Sequence, residues 1–270
     1  MKIYAWINLL LAVHLMSSVA HCQNNFIETE RTDALKLIKI EALIFNKRKF
    51  DDALLKLDSI VKNAPDNYGQ IYAEQKRFWD TNEYDEYIKF TNNPIPFILD
   101  AYAKVYYFYA VIYIERGEWE KAEQYLLTGL KQIPDEAHLL CEMGMLYQQQ
   151  YSASFDNNHL DLSSRYFIDA IDKNKKSFLQ LRIIARALRG VGFNLIEAGE
   201  LDLAENFFIE SLNYEENDFA YHELNYINQL RKNANSRPSI STPNTNSPQI
   251  ERDERNNCRQ KQKKCTIVKG

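Results

Sequence analysis

Tyr106-x-x-Tyr109-Ala110-x-x-Tyr113, then Gly117-x-Trp119-x-x-Ala122-x-x-x-Leu126, then Pro134: this run carries the strongest periodic signal in the chain. Tyr106, Tyr109 and Tyr113 are spaced i, i+3 and i+7, so they share one face of a helix. Ala110 and Ala122 are small enough to let two helix backbones approach closely. Gly117 suits a tight turn between helices, because glycine accepts positive φ at no steric cost. Pro134 cannot continue a helix and marks the start of a new element. The run therefore reads as a helical hairpin. One hairpin cannot bury its apolar face alone, so finding one predicts neighbours.

The neighbours are present. Leu188-x-x-Val191-Gly192-x-x-Leu195 with Gly199-x-Leu201-x-x-Ala204-x-x-x-Phe208 repeats the pattern, with Glu216 in the proline position. Near the N-terminus, Leu37-x-x-Ile40 and Ile44 lead to Phe50, Ala53, Leu57 and Pro65, with Glu41 where a small residue is wanted. Another copy opens at Leu140-x-x-Met143-Gly144-x-x-Tyr147 and resumes at Phe167-x-x-Ala170, after an insertion around Ser152–His159. Pro134 lies 69 positions after Pro65. That leaves room for one irregular copy, in which Tyr84-x-x-Tyr87 begins the second helix and Pro94 and Pro96 end it.

This pattern resembles the tetratricopeptide repeat, a helix–turn–helix unit of about 34 residues, in an exported bacterial setting. The resemblance covers residues 34–218 and is most specific at 103–136 and 185–218. It implies an all-α fold, a right-handed superhelical solenoid of about four to five hairpins. The units fall near 34–67, 68–102, 103–136, 137–177 and 185–218. A capping helix at 219–232 follows, carrying an apolar stripe of Phe219, His222, Tyr226 and Leu230.

The two ends differ from this middle. Residues 1–20 have the form of a cleavable signal peptide: Lys2, an apolar core over Ile3–Met16, and Ser18-Val19-Ala20 as a small-residue cleavage site. A lipoprotein anchor at Cys22 is not expected, because His21 stands where such a box wants a small residue. Residues 21–33 read as a lead-in. Residues 233–270 read as a disordered basic tail, with Pro238, Pro243 and Pro248 breaking any helix. From 234 onward, eight Lys or Arg face three acids, a surplus of five positive charges. The whole chain carries −4, which leaves −9 on the rest. Such asymmetry permits weak contact between the tail and an anionic membrane or acidic partner. No aromatic residue lies among the tail's charges, so nucleic-acid binding by stacking has no support. The cysteines are Cys22, Cys141, Cys258 and Cys265. Cys258 and Cys265 are close enough in sequence for a local pair, and Cys141 reads as a buried apolar residue.

No catalytic constellation emerges. His138 and Cys141 share a helix face beside Glu142, but a zinc or nucleophilic site needs further ligands or a base. His222-Glu223 lacks a second histidine four residues on. Asp156, His159 and Asp161 sit near the insertion, where polar loop residues are ordinary. No phosphate loop or nucleophile elbow is present. The expectation is a non-enzymatic chain with no cofactor and no metal.

The resemblance also implies where a partner docks, since certain first-helix positions line the concave groove of such repeats. Carried across, these are Lys104, Tyr107, Val111, Ile114 and Glu115 in one unit. The next unit contributes His138, Cys141, Met145, Gln148 and Gln149, and the last Arg186, Arg189, Phe193, Ile196 and Glu197. Tyr, Phe, Met and Arg are types enriched at interfaces. The polar clamp that chaperone-adaptor repeats use for a terminal carboxylate is missing, since Tyr107, Phe108, Val111, Cys141 and Met145 hold its positions. The function expected is a protein–protein interaction scaffold outside the cytosol, periplasmic or secreted, binding a peptide or helix of a protein partner. The competing readings are an antagonist of an exported toxin, a membrane-associated assembly factor, and a metal site around His138, Cys141 and Glu142.

Overall fold

The computed structural model describes residues 28–64, 68, 69, 76–174 and 180–236. The signal segment, Cys22, the Cys258/Cys265 pair and the tail from 237 lie outside the described residues. The helices are α1 (28–41, running into a π-helical turn at Ala42–Asn46), α2 (Phe50–Val61), α3 (Thr81–Thr91), α4 (Ala101–Arg116), α5 (Trp119–Gln132), α6 (Ala137–Ser154), α7 (Asn157–Asn174), α8 (Leu181–Ala198), α9 (Leu201–Leu212) and α10 (Asp218–Ser236). Among the described residues, extended pairing is limited to one parallel bridge between Phe78 and Leu99. No helix there is long and apolar enough to cross a membrane.

Helices pair in chain order as α1/α2, α4/α5, α6/α7 and α8/α9, and α10 closes the series. The first helices also pack in succession, α4 on α6, α6 on α8 and α8 on α10. The chain is an all-α helical solenoid. The same residue types recur in its core. Ala53, Ala122 and Ala204 are fully buried on the second helices, and Leu57, Leu126 and Phe208 lie four residues on, also fully buried. Burying each such large side chain contributes about 1.5–3 kcal/mol.

Two turns show the local cause. Gly117 caps α4 at φ +73°, and the amides of Gly117 and Glu118 reach back to the carbonyls of Ile114 and Tyr113. Gly199 repeats this at φ +84°, with Gly199 and Glu200 bonded to Ile196 and Leu195. Both satisfy helix-end carbonyls through a left-handed residue. The first hairpin has no glycine at its turn. Arg48 takes the left-handed conformation (φ 54°) and α1 widens into a π turn, with Lys49 bonded to Leu43.

Three sequence expectations change. The insertion at Ser152–His159 is not a loop. It lengthens the two helices, which meet at a tight turn where Phe155 is left-handed and its amide bonds the Tyr151 carbonyl at 2.7 Å. Asp156 accepts from the Asn158 amide at 2.9 Å, which makes it a turn residue. The 68–102 stretch contains α3 followed by extended chain, wrapped around Phe78, which touches Tyr84, Tyr87 and Phe97. Finally, α10 continues through Ser236, so the first residues assigned to the tail are helical.

Candidate functional site: the face of the first helices

The residues predicted to line a groove divide into three groups. Lys104 and Tyr107 on α4 and His138 on α6 gather around one side chain from outside the hairpins, Trp79. The indole lies parallel to the His138 ring, with centroids 3.7 Å apart and planes 5° apart. Tyr107 meets it edge-on at 5.2 Å, and the Lys104 ammonium lies 5.1 Å from the indole centroid. Burial lowers the Lys104 pKa.

A second group lies on α8 at i, i+4 and i+7 spacing: Arg182, Arg186 and Arg189. Arg186 pairs with Glu142 at 2.9 Å and remains 31% exposed, while Glu142 is only 7% exposed. Arg189 pairs with Glu215 at 2.8 Å, and its Nη1 is buried without a partner. Arg182 is exposed and makes no ion pair with a described residue. Met145 on α6 and Glu197 on α8 are half-buried, and Met145 packs on the cluster shared by α6, α7 and α8.

The third group is withdrawn from the surface. Cys141 is fully buried with its thiol 3.6 Å from the Ile183 carbonyl. Gln148 donates to the Gly190 carbonyl at 3.0 Å and to Asn194 Oδ1 at 2.7 Å. Asn194 in turn donates to the Ser163 and Ser164 hydroxyls. Val111 and Phe193 are buried too. For Cys141 and Gln148 the cause is direct packing of α6 on α8, whereas Val111 joins the core shared by α1, α2 and α4. Glu115 is the opposite case, an exposed acid paired with Arg48 at 2.7 Å.

What holds Trp79 in place is its own segment. Arg77 forms an ion pair with Glu30 of α1 at 3.1 Å, with side chains 0% and 2% exposed. Burial raises the Glu30 pKa despite Arg77. Phe78 is fully buried, its amide donates to the Ile98 carbonyl, and its own carbonyl accepts from the Asp100 amide. Asp100 caps α4, accepting from the Ala103 amide and from the Tyr68 hydroxyl at 2.6 Å. Asp80 caps α3 through the Glu83 amide, and Glu83 accepts from the Trp79 amide at 2.6 Å. Breaking a buried ion pair costs about 3–5 kcal/mol. An aromatic contact beyond its area is worth about 0.5–1.5 kcal/mol, and a cation–π contact about 0.5–2 kcal/mol. The segment is thus firmly anchored at Arg77 and Phe78, and more loosely held at the Trp79 side chain.

His138, Cys141 and Glu142 do not converge. His138 Nδ1 lies 2.8 Å from Glu136, Glu142 holds Arg186, and the Cys141 thiol faces a carbonyl. Burial pushes the Cys141 thiol up to about 12 and lowers the His138 pKa. A protonated, enclosed thiol is a poor nucleophile and a poor metal ligand. Among the described residues no group of three or more His, Cys, Asp or Glu is placed to hold a metal ion.

No family model and no curated protein matches the chain. Among solved structures, the N-terminal domain of stress-induced protein-1 (STI-1) from C. elegans aligns at 14% identity and a TM-score of 0.39. That alignment covers 47% of this chain and 94% of the domain. BtubC (BKLC) from P. vanneervenii aligns at 14% identity and a TM-score of 0.44, covering 86% of this chain and 99% of its own. Neither likeness is close enough to speak for function, and the fold rests on the helix packing itself.

Trp79 and Arg182 escaped the sequence reading. Trp79 precedes Asp80-x-x-Glu83, an N-cap with a glutamate three residues on, which marks a helix start. Arg182 lies four residues before Arg186, which places it on the same helix face.

Proposed function

We propose that this chain is a non-enzymatic protein-binding scaffold working outside the cytosol, and that a segment of a partner protein docks on the face formed by α4, α6 and α8. The observation that carries the reading is the row on α8. Arg182, Arg186 and Arg189 line one helix face, with half-buried Met145 and Tyr107 on the neighbouring first helices, on a body of net negative charge. Arginine and aromatic side chains in partly buried positions are the residue types that anchor interfaces. Arg186 and Arg189 are already matched by Glu142 and Glu215, so Arg182 supplies the row's charge for an acidic partner segment. The signal-like residues 1–20 support export, and the repeat architecture names no partner by itself.

Affinity capture from the native host's cell envelope tests this, with the wild-type chain beside Arg182→Glu. Arg182 is the cleanest site, because changing it unpairs no buried acid. The expected result is a partner held by the wild type and lost by Arg182→Glu. A partner held equally by both, and lost when residues 237–270 are removed, overturns the assignment to this face. Fractionation of the host should find the protein outside the cytosol with residues 1–20 removed, and an intact N-terminus in the cytosolic fraction refutes export.

A further inference from the structure

The acidic charge of the solenoid is concentrated at one end. Residues 28–196 hold 25 acids and 22 bases, a net of −3. Residues 197–236, which comprise the end of α8 with α9 and α10, hold nine acids and two bases, a net of −7. The chain then changes sign. From Arg255 to Gly270 there are six bases (Arg255, Arg259, Lys261, Lys263, Lys264 and Lys269) and no acid. We propose that this basic end of the chain docks on the outer face of α9 in the same molecule.

Three observations support this. The helix face is open and mixes aliphatic side chains with acids. α9 turns Ala204, Phe208 and Ser211 into the core, while Leu203 and Ile209 remain 51% and 50% exposed. Asp202 and Ile209 are seven residues apart, as are Leu203 and Glu210, so each pair shares a stripe of the helix. Glu200 before α9, and Glu216 and Asp218 after it, are exposed and make no ion pair with a described residue. Next, the end of the chain matches this face in kind. Ile267-Val268 is an aliphatic pair bracketed by Lys263, Lys264 and Lys269. Set against Leu203 and Ile209, it removes apolar surface from water while the lysines meet the surrounding acids. Last, the chain leaves α10 at the right place. Arg231 pairs with Asp202 and, at 2.8 Å, with Glu205, so the last turns of α10 lie against the first turn of α9. Ser236 is five residues on, about 7.5 Å along the axis, and α9 itself is about 18 Å long. Residues 237–254 span about 25 Å as a flexible linker. That reaches every part of α9 and holds the basic end near it at about millimolar effective concentration.

Docking by side chains leaves the backbone bonds of α9 as they are, so proximity rather than hydrogen exchange reads it. The test is amide NMR of the full chain carrying a nitroxide on Cys265, with Cys22→Ser and Cys258→Ser. Cys141 is fully buried and stays unlabelled. The amide signals of Leu203, Asn206, Ile209 and Glu210 should broaden, and those of α2 and α5 should stay sharp. Lys261→Glu/Lys263→Glu/Lys264→Glu should abolish the broadening, as should Leu203→Lys/Ile209→Lys, which changes only exposed positions. Raising the salt to 1 M should weaken it, because the screening length falls to about 3 Å. Broadening spread evenly over the surface, or unchanged in the tail variant, overturns the proposal. If the α9 variant does not fold, the tail variant decides alone. Mixing spin-labelled chain with isotope-labelled chain that carries no nitroxide separates one molecule from two. Equal broadening in that mixture assigns the face to a second copy and overturns docking within one chain. Sharp α9 signals, with the tail's own signals lost on adding phosphatidylglycerol vesicles, overturn it in favour of a membrane. None of these outcomes touches capture of a partner through Arg182, which lies on α8.

Discussion

Phe167 on α7 is clamped between two backbones. A Cβ added at Gly144 of α6 would lie 2.7 Å from its ring, and one at Gly190 of α8 would lie 2.5 Å from it. The ring fills a slot that exists only because both positions lack a side chain. Gly144→Ala or Gly190→Ala should therefore cost about 1–3 kcal/mol through overpacking. Gly117→Ala should cost about 1 kcal/mol for a different reason, since its Cβ meets open space and only the left-handed backbone resists. Chemical denaturation of the three variants checks this, together with Phe167→Leu made alone and in the Gly190→Ala and Gly117→Ala backgrounds. The smaller side chain should recover part of the loss at Gly190 and none at Gly117. Equal losses insensitive to Phe167 would refute the clamp. Gly144 was legible in the sequence because it occupies the small position of a repeat. Gly190 was not, because Gly192 already filled that position in its copy, against Phe208. Two small residues two apart face different neighbours, and a linear pattern has no way to show both.

At the scale of elements, the hairpins were legible and the segment around α3 was not. The hairpins announce themselves by a 3.6-residue period plus a glycine turn, and α4/α5 and α8/α9 have both. Residues 76–100 hold their place by polar groups that periodicity does not register: Arg77 on Glu30, Tyr68 on Asp100 and the Glu83 carboxylate on the Trp79 amide. Two of the groove positions are buried for a related reason. Cys141 and Gln148 were assigned by repeat register, but the direct contact of α6 with α8 claims them as core. The polar anchoring has a pH signature. Burial, and then neighbouring charges including Glu136, raise both Glu83 and Asp100 to about 8, from ordinary values of 4.5 and 3.8. Facing groups are Lys76, Glu136, Glu30 and Tyr68. A carboxyl raised in the fold keeps its proton after the unfolded chain has lost it, so these two groups make stability fall as pH rises from about 4 to about 8 and level off above. Thermal unfolding across that range should show a shallower decline in Glu83→Gln/Asp100→Asn than in wild type. Parallel curves for the two proteins would mean that these acids are ionised in the fold. Asp80→Ala should cost about 1 kcal/mol by removing the α3 cap, read as faster hydrogen exchange confined to 81–91.

For the whole molecule, the decisive property is that each hairpin touches chiefly its neighbours. The buried clusters follow one another along the chain. One joins α1, α2 and α4, the next α4, α5 and α6, the next α6, α7 and α8, and the last α8, α9 and α10. In such a stack stability is close to a sum of repeat and nearest-neighbour terms, and the end must be capped. The cap here is α10, which buries Ala220 and Ile227 against Ile196, Ala204 and Phe208. Arg231 adds ion pairs to Asp202 and Glu205 of α9. That role was readable in the sequence from the apolar stripe after Asp218. Its extent was not, because the polar stretch past Leu230 stays helical without an apolar face to announce it. Ending the chain after Asn217 should therefore expose the last cluster and nothing further back. Hydrogen exchange should quicken across 181–212 and stay slow across 50–61 and 101–132, and the variant should aggregate through bared Phe208 and Ile196. Ending it after Ser236 should change neither pattern. Loss of protection along the whole chain on removing α10 would show that the hairpins fold as one cooperative block. In that case a partner on the α4–α6–α8 face would be coupled to the cap across the whole stack.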